Sequence, residues 1–169
     1  NLPTIAGHLL AHLLQAVPAI IASFVLAIPI ARLARVARPL RVVLVTGSSL
    51  LYAVPSLALF VILPIILATG IRDPLNVIVA LTLYGLALLV PATADALDAV
   101  DARVLDAATA MGMGRLRCFL TVELPLAGPA ILTGLRVVTV STISLTTVGA
   151  VLGVRSLGWL FTDGFQRGI

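Results

Sequence analysis

Four long apolar runs occupy most of this sequence, over residues 9–31, 42–68, 75–94 and 131–152. A helix rises 1.5 Å per residue, so about 20 apolar residues cross the hydrocarbon core of a bilayer. Each run reaches that length, and lipid excludes irregular backbone, so the runs predict transmembrane helices. Charged residues make up only 11% of the chain, whereas ordinary soluble domains carry about 25%. The sequence therefore predicts an all-α, polytopic helical bundle in a lipid bilayer and excludes a water-soluble fold.

The arginines indicate which side of the membrane the loops occupy. Four of them follow the first run within ten residues, at Arg32, Arg35, Arg38 and Arg41. Positive residues beside a span mark its cytoplasmic end, and this placement at span ends does not indicate a nucleic-acid partner. The polar insert after the third run is also expected in the cytoplasm, so an even number of crossings separates the two. The run 42–68 must then make one net crossing, either as one tilted span or as two short segments broken at Pro55 and Pro64.

A polar insert lies between the third and fourth runs. Its charged residues include Asp106, Arg115, Arg117 and Glu123. Gly112 and Gly114 supply backbone freedom for a helix C-cap and a turn. The insert predicts two short helices, over about 103–111 and 115–124. We expect the second helix to end at Pro125, because proline cannot continue a helix interior cheaply.

Seven residues of this insert follow one spacing pattern. They are Asp106, Ala107, Ala108, Gly112, Val122, Leu124 and Pro125. The pattern resembles the EAA loop of ABC-importer permeases of the MetI-like, binding-protein-dependent family, with Asp106 where Glu is usual and Val122 where Ile is usual. In that family the loop is a coupling helix that docks into a groove on a cytoplasmic ATPase. The resemblance implies the same role for residues 98–124, in which small side chains pack into the groove and Asp106 makes polar contacts.

Three shorter segments carry a second resemblance. They are Val54-Pro55-Ser56-Leu57-Ala58-Leu59, Leu83-Tyr84, and the outer segment with Gly153, Leu157, Gly158 and Trp159. They are similar to segments of the osmoprotectant permeases for glycine betaine, carnitine or choline. The match weakens after Tyr84, where this chain has Leu88, Pro91 and Ala92 instead of the Pro and Arg-Asn of that branch. The resemblance implies import of a quaternary-ammonium osmoprotectant; import of another solute, such as methionine or phosphonate, and a secondary carrier or channel are the alternatives.

The expected partners follow from the same resemblance. The sequence has no GxxxxGK[ST] phosphate loop, so ATP and its Mg²⁺ would bind a partner ATPase, and this chain would bind no cofactor and would not be an enzyme. The family arrangement implies a second permease subunit, identical or different, and an extracytoplasmic solute-binding protein. The complex would lie in the plasma (inner) membrane of a prokaryote. Residues 1–169 would form one transmembrane domain, with the family's last span after Ile169.

Polar residues within the apolar runs are the candidates for the translocation path. Tyr52 and Ser56 place polar atoms at membrane depth beside Pro55, and Thr142 and Thr146 lie in a hydroxyl-rich part of the last run. Such side chains either line a polar pathway or hydrogen-bond between helices.

Two further groups of ionisable residues have a functional and a structural interpretation. His8 and His12 lie four residues apart, but no carboxylate or Cys nearby completes a metal site with them, so no metal is expected. Three carboxylates recur every third residue and are either a cation site or a solvated helix face. They are Asp95, Asp98 and Asp101.

Overall fold

The computed structural model describes residues 2–36 and 38–168, and within these ranges the chain forms helices and no β-strand. The helices of the first half are α1 (Leu2–Val36), α2 (Arg38–Arg41), α3 (Gly47–Tyr52), α4 (Ser56–Leu67) and α5 (Pro74–Asp98). Those of the second half are α6 (Ala102–Ala110), α7 (Arg115–Cys118), α8 (Leu124–Thr146) and α9 (Gly158–Arg167). Two π-helical turns, Val42–Thr46 and Phe119–Glu123, and a 3₁₀ turn, Thr147–Leu152, join some of them end to end. The predicted all-α fold class is confirmed.

Three helical stretches are long and apolar enough to cross a membrane: Leu2–Val36, Pro74–Asp98 and Arg115–Leu152. A fourth candidate is the pair Val42–Tyr52 and Ser56–Leu67, which meet at an angle of 111°. The apolar runs of the sequence therefore lie in helices, and the second run lies in the bent pair.

The second run breaks at Pro55 and not at Pro64. Pro55 has φ −57° and ψ 130°, an extended conformation that ends one helix and precedes the next. Pro64 lies inside α4, which continues to Leu67 before a left-handed residue at Ala68 ends it. Of the two geometries that the sequence allowed, the structure has two short segments with one break. How this pair crosses the bilayer stays a prediction.

The contact between α1 and α5 is built from small side chains. One face of α1 buries a stripe that comprises Ala16, Ala19, Ser23, Ala27, Ala31 and Ala34. A β-carbon added to Gly85 of α5 would lie 2.5 Å from the Ser23 β-carbon, so the two backbones approach closely there. The α8 helix approaches the same core, since a β-carbon on Gly134 would lie 3.3 Å from Ala92. Small residues allow this close packing where lipid provides no hydrophobic drive for helix association.

Two buried clusters mark the ends of this three-helix core. At one end, Phe60 and Leu63 of α4 pack with Val77 and Leu81 of α5. At the other end, Leu97 packs with Phe119 and with residues near the start of α8. The bent pair therefore joins the core at one end of α5, and the polar insert joins it at the other.

The second helix of the insert, predicted over about 115–124, does not end at Pro125, so that prediction is wrong. The chain is helical from Arg115 to Leu152, with the π-helical turn Phe119–Glu123 directly before α8. Pro125 is the second residue of α8, directly after the π-helical turn. The wider π turn lets the chain change its hydrogen-bond register before proline instead of terminating.

The segment after α8 is held against the beginning of α1. His8 stacks on Trp159 with ring centroids 5.0 Å apart and an angle of 9° between the rings. The Gln15 side-chain amide donates a hydrogen bond to the Arg155 carbonyl over 2.7 Å. Gly158 packs so tightly on the backbone of Thr147 that a β-carbon there would overlap it. These contacts fold the outer segment back onto the bundle.

Candidate coupling site

The α6 helix, which carries the first half of the spacing pattern, begins at a side-chain cap. The Asp101 carboxylate accepts a hydrogen bond from the Arg103 backbone N–H over 2.9 Å. A capping carboxylate at this position also interacts favourably with the helix dipole. Asp101 therefore starts the helix and does not join a shared cation site with the other aspartates.

Gly112 ends α6 in the conformation that only glycine adopts without strain. Its φ is +82°. Its N–H donates to the Thr109 carbonyl over 2.9 Å, and the N–H of Met113 donates to the Ala108 carbonyl over 3.2 Å. These two bonds are those of a Schellman cap, which requires a left-handed residue. The predicted role of Gly112 as a helix cap is confirmed, whereas Gly114 has φ −66° and starts α7.

The motif residues of α6 divide into one inward and two outward positions. Ala108 is 2% exposed and is the one residue of α6 that the structure buries. Asp106 and Ala107 are exposed. This helix therefore buries one small side chain fully and Leu105 partly, and it leaves most of its surface exposed.

Three large apolar side chains around α6 lie open to the surroundings. Met111 is 73% exposed, Leu116 is 65% exposed and Val104 is 42% exposed. Exposed apolar surface that is rimmed by polar residues is typical of a protein interface. None of these three residues is a candidate in the sequence analysis. Met111 and Leu116 flank the glycine turn of the polar insert, and that position was the signal that could have identified them.

The second half of the pattern lies on the stem that continues into α8. Val122 and Leu124 are half-buried and Pro125 is exposed. Leu124 packs against the core cluster that contains Leu97 and Phe119. The structure therefore does not place the seven motif residues on one surface, because Asp106 to Gly112 form an exposed helix and its cap, and Val122 to Pro125 connect it to the bundle.

Asp98, at the end of α5, is paired with arginines. One carboxylate oxygen lies 2.5 Å from Arg41 Nη2, and the other lies 3.4 Å from Arg35 Nε. The hydrogen bond and the negative charge of Asp98 raise the pKa of the Arg41 guanidinium above its usual value. Asp98 is thus engaged in ion pairs and not in a cation site, while Asp95, Asp98 and Asp101 are all exposed, as the solvated-face interpretation predicts.

The first pair of pathway candidates flanks the break in the bent pair. Tyr52 is 50% exposed, and its ring meets the Tyr84 ring edge to face at 6.1 Å. The buried Tyr84 hydroxyl donates a hydrogen bond to the Val54 carbonyl. Ser56 is half-buried at the start of α4. Tyr52 is therefore accessible at the break of the bent pair, and Tyr84 of α5 packs against its ring.

The second pair of pathway candidates is buried. Thr142 is 3% exposed and Thr146 is fully buried. The Thr146 hydroxyl donates to the Thr142 carbonyl one turn earlier, over 2.7 Å. In this conformation the two threonines pack inside the subunit and do not face an open path.

The family described as binding-protein-dependent transport system inner membrane component matches residues 19–168. The chain is 28% identical over 153 residues to the glycine betaine/carnitine/choline transport system permease protein OpuCD of Bacillus subtilis. This match covers 90% of this chain and 66% of that protein. The chain is 32% identical over 123 residues to the osmoprotectant import permease protein OsmW of Salmonella typhimurium, 71% of this chain and 57% of that protein.

A third relative is much longer than this chain. It is the ergothioneine transport permease/ergothioneine binding protein EgtU of Helicobacter pylori, 36% identical over 116 residues, 69% of this chain and 20% of that protein. The chain thus spans between 20% and 66% of the length of these three relatives.

Two solved structures share the fold. An inward-facing form of the MetNI methionine ABC transporter matches with a TM-score of 0.85 at 20% identity, over 99% of this chain and 81% of that chain. An amino acid ABC transporter solved with histidines matches with a TM-score of 0.75 at 19% identity, over 92% of this chain and 74% of that chain. At these identities the likeness concerns the architecture of the helical bundle.

Proposed function

Because this chain belongs to the family of binding-protein-dependent transport system inner membrane components, we propose that it is the membrane-spanning permease subunit of an ATP-driven importer. It acts with a second permease subunit, identical or different, in the plasma (inner) membrane of a prokaryote. A cytoplasmic ATPase subunit binds ATP and Mg²⁺ and carries out hydrolysis. An extracytoplasmic solute-binding protein delivers the solute.

One observation carries the coupling part of this proposal. The α6 helix keeps only Ala108 buried, while apolar Met111 and Leu116 stay exposed beside the Gly112 cap. Burying one such side chain completely in an interface is favourable by about 1.5–3 kcal/mol. A helix that is rigidly capped, small on its motif face and apolar at its tip suits insertion into a groove on another protein. We assign that groove to the ATPase.

The proposed cycle uses the loop as a mechanical link. Closure of the two ATPase subunits on ATP displaces α6 and its cap. The displacement moves the helices that the loop connects, α5 and α8, and changes the access of the central path between the two membrane sides. Such a transition is a switch between two packed arrangements and not a continuous deformation.

The proposed solute is a small molecule with a quaternary ammonium group. The relatives OpuCD and EgtU bear names that state glycine betaine, carnitine, choline and ergothioneine, and these four compounds all carry such a group. A cation of this kind is recognised by aromatic faces. The exposed Tyr52 at the break of the bent pair offers such a face to a passing solute.

The coupling assignment is tested with the ATP-binding subunit encoded beside this chain. The permease is captured in detergent, and retention of the ATPase is compared between wild type and Gly112→Trp, which adds bulk at the cap of α6. The matched control is Gly168→Trp, because Gly168 also has a positive φ (+68°) and open space around it. Loss of the ATPase with Gly112→Trp alone supports the proposal. Failure of the correctly inserted wild type to retain the ATPase refutes it.

The solute class is tested by uptake into proteoliposomes. The complete transporter, with ATPase and solute-binding protein, is supplied with radiolabelled choline or glycine betaine in the presence and absence of internal ATP. ATP-dependent uptake supports the quaternary-ammonium assignment. ATP-dependent uptake of methionine with none of choline, glycine betaine, carnitine or ergothioneine overturns it.

A further inference from the structure

Arg35, in the last turn of α1, connects three parts of the bundle. Its Nη1 atom forms an ion pair with Oε1 of Glu123, and its Nε atom lies 3.4 Å from Oδ1 of Asp98. Glu123 lies directly before α8, and Asp98 is the last residue of α5. One guanidinium therefore bridges the ends of α1 and α5 and the beginning of α8.

Arg32, one turn earlier on the same face of α1, holds the same stem at a second point. Its guanidinium carbon lies 3.8 Å from the centre of the Phe119 ring. Its Nη2 atom donates to the Arg115 carbonyl over 3.4 Å. The stem between α6 and α8, residues 115–123, is thus attached to α1 along two consecutive turns.

The α6 helix itself is not packed against these arginines. A cavity of about 310 Å³ separates them from α6, and Leu105 and Thr109 of that helix line its far side. The proposed docking helix therefore has free space next to it, while the stem that follows it is tied to α1. A displacement of α6 can therefore reach α1 through the stem and its two arginine contacts, beside the route through α5, which directly precedes α6 and packs on α1.

The burial of the Arg35 ion pair makes it stronger than an ordinary surface pair. The Glu123 side chain is 13% exposed and the Arg35 side chain is 28% exposed. Charges that have lost much of their water interact more strongly, and removal of one partner leaves the other poorly solvated. The planar guanidinium can also address two carboxylates at once, which a lysine ammonium does with less directional control.

We propose that Arg35 is the positioning residue that transmits movement of the coupling loop to α1 and α5. The inference rests on the proposed function, since it requires that an ATPase moves α6. The ion pair with Glu123 links the guanidinium to the stem, and the ion pair with Asp98 links it to the end of α5, so movement of the stem displaces both α1 and α5. The positive-inside rule accounts for an arginine at this end of α1, but it does not require that the arginine pair with these two carboxylates.

The test measures the number of solute molecules transported per ATP hydrolysed by the complete transporter in proteoliposomes. We expect Arg35→Gln and Glu123→Gln each to lower this ratio by about tenfold, within the range of ordinary coupling between sites. Arg35→Lys keeps the charge at the span end and should lie between wild type and Arg35→Gln. The control is Arg167→Gln, which breaks the Arg167–Asp163 ion pair, 3.0 Å long, in α9, and it should leave the ratio unchanged.

A double variant separates transmission from stability. If the two side chains act through one contact, Arg35→Gln combined with Glu123→Gln should lower the ratio no further than either change alone. A purely structural role would instead lower uptake and hydrolysis in parallel and leave the ratio unchanged, and that result would overturn the inference. Multiplicative effects of the two changes would overturn it as well.

The outcome is distinguishable from failure of the proposed function. If the wild-type permease does not retain its ATPase, the importer assignment itself fails. If the wild type retains the ATPase and couples hydrolysis to uptake, but Arg35→Gln does so equally well, only the role of Arg35 is refuted.

Discussion

Replacement of Gly85 by alanine should destabilise the bundle at the closest approach of α1 and α5. The added β-carbon would lie 2.5 Å from both the β-carbon and the hydroxyl oxygen of Ser23, whereas ordinary contacts of this kind begin at 3.4 Å. The hydroxyl can rotate away, but the Ser23 β-carbon is fixed to the backbone, so the helices must separate by about 1 Å. Interiors packed this densely do not absorb such a shift without loss.

The magnitude follows from the packing that the separation gives up. A gap of 0.5–1 Å forfeits about a quarter to a half of the dispersion energy of the atoms on either side. Overpacking of this kind typically costs about 1–3 kcal/mol, and alanine returns at most about 1 kcal/mol through its better helix propensity. Because a 2.5 Å contact belongs to the upper part of that range, about 2–3 kcal/mol, we expect Gly85→Ala to lower the free energy of unfolding by about 1–2 kcal/mol.

The assay is reversible unfolding in mixed micelles, followed by circular dichroism as the fraction of sodium dodecyl sulfate is raised. Gly128→Ala is the matched control, because Gly128 lies in α8 with no atom within 4 Å of an added β-carbon, and it should be neutral or stabilising. Ser23→Gly added to Gly85→Ala should restore most of the loss by vacating the contact. A Gly85→Ala variant as stable as Gly128→Ala, or one that Ser23→Gly does not rescue, would refute the close packing of α1 on α5.

Two further outcomes are expected. Tyr84→Phe removes the hydrogen bond to the Val54 carbonyl and should lower the free energy of unfolding by about 1–2 kcal/mol, measured in the same micelle titration. The control is Thr82→Val, which removes a hydroxyl bonded within its own helix and should have a smaller effect. Equal effects of the two variants would contradict a supporting role for Tyr84. Met111→Gln makes a 73% exposed side chain polar and should weaken ATPase binding about tenfold, because about 1.5 kcal/mol of apolar burial is lost. The affinity is measured by titration of the detergent-solubilised permease with its ATPase. Unchanged affinity would show that this side chain lies outside the docking surface.

The helix cap and the spacing pattern of the polar insert were predictable because their signals are local. The cap at Gly112 needs a residue that accepts a positive φ, and a glycine at the end of an Ala-rich helix states that requirement in the sequence itself. The spacing from Asp106 to Pro125 identified the family, and the family match confirms it. The loop's docking role stays a proposal, as do the individual contacts of its residues.

Two features of the chain path were not predictable from the same kind of signal. Proline at position 125 suggested a helix end, yet the π-helical turn Phe119–Glu123 carries the helix past it. Pro55 and Pro64 looked equivalent in the second apolar run, and only Pro55 breaks it. A proline removes one donor wherever it stands, and whether the helix ends there depends on the neighbours that satisfy the freed carbonyl.

The sequence by itself determined the membrane environment, the helical class and the family of this protein. Lipid offers no hydrogen-bond partners to the backbone, so apolar runs of about 20 residues form spanning helices. The spacing pattern of the polar insert lies within one continuous stretch of chain. Only the tertiary structure decided which charges meet. Arg35 and Glu123 are 88 residues apart, and Thr142 is buried although its hydroxyl-rich surroundings suggested a path. Local patterns specify helices and caps, whereas ion pairs and buried faces depend on how the helices pack, and that depends on the whole chain at once.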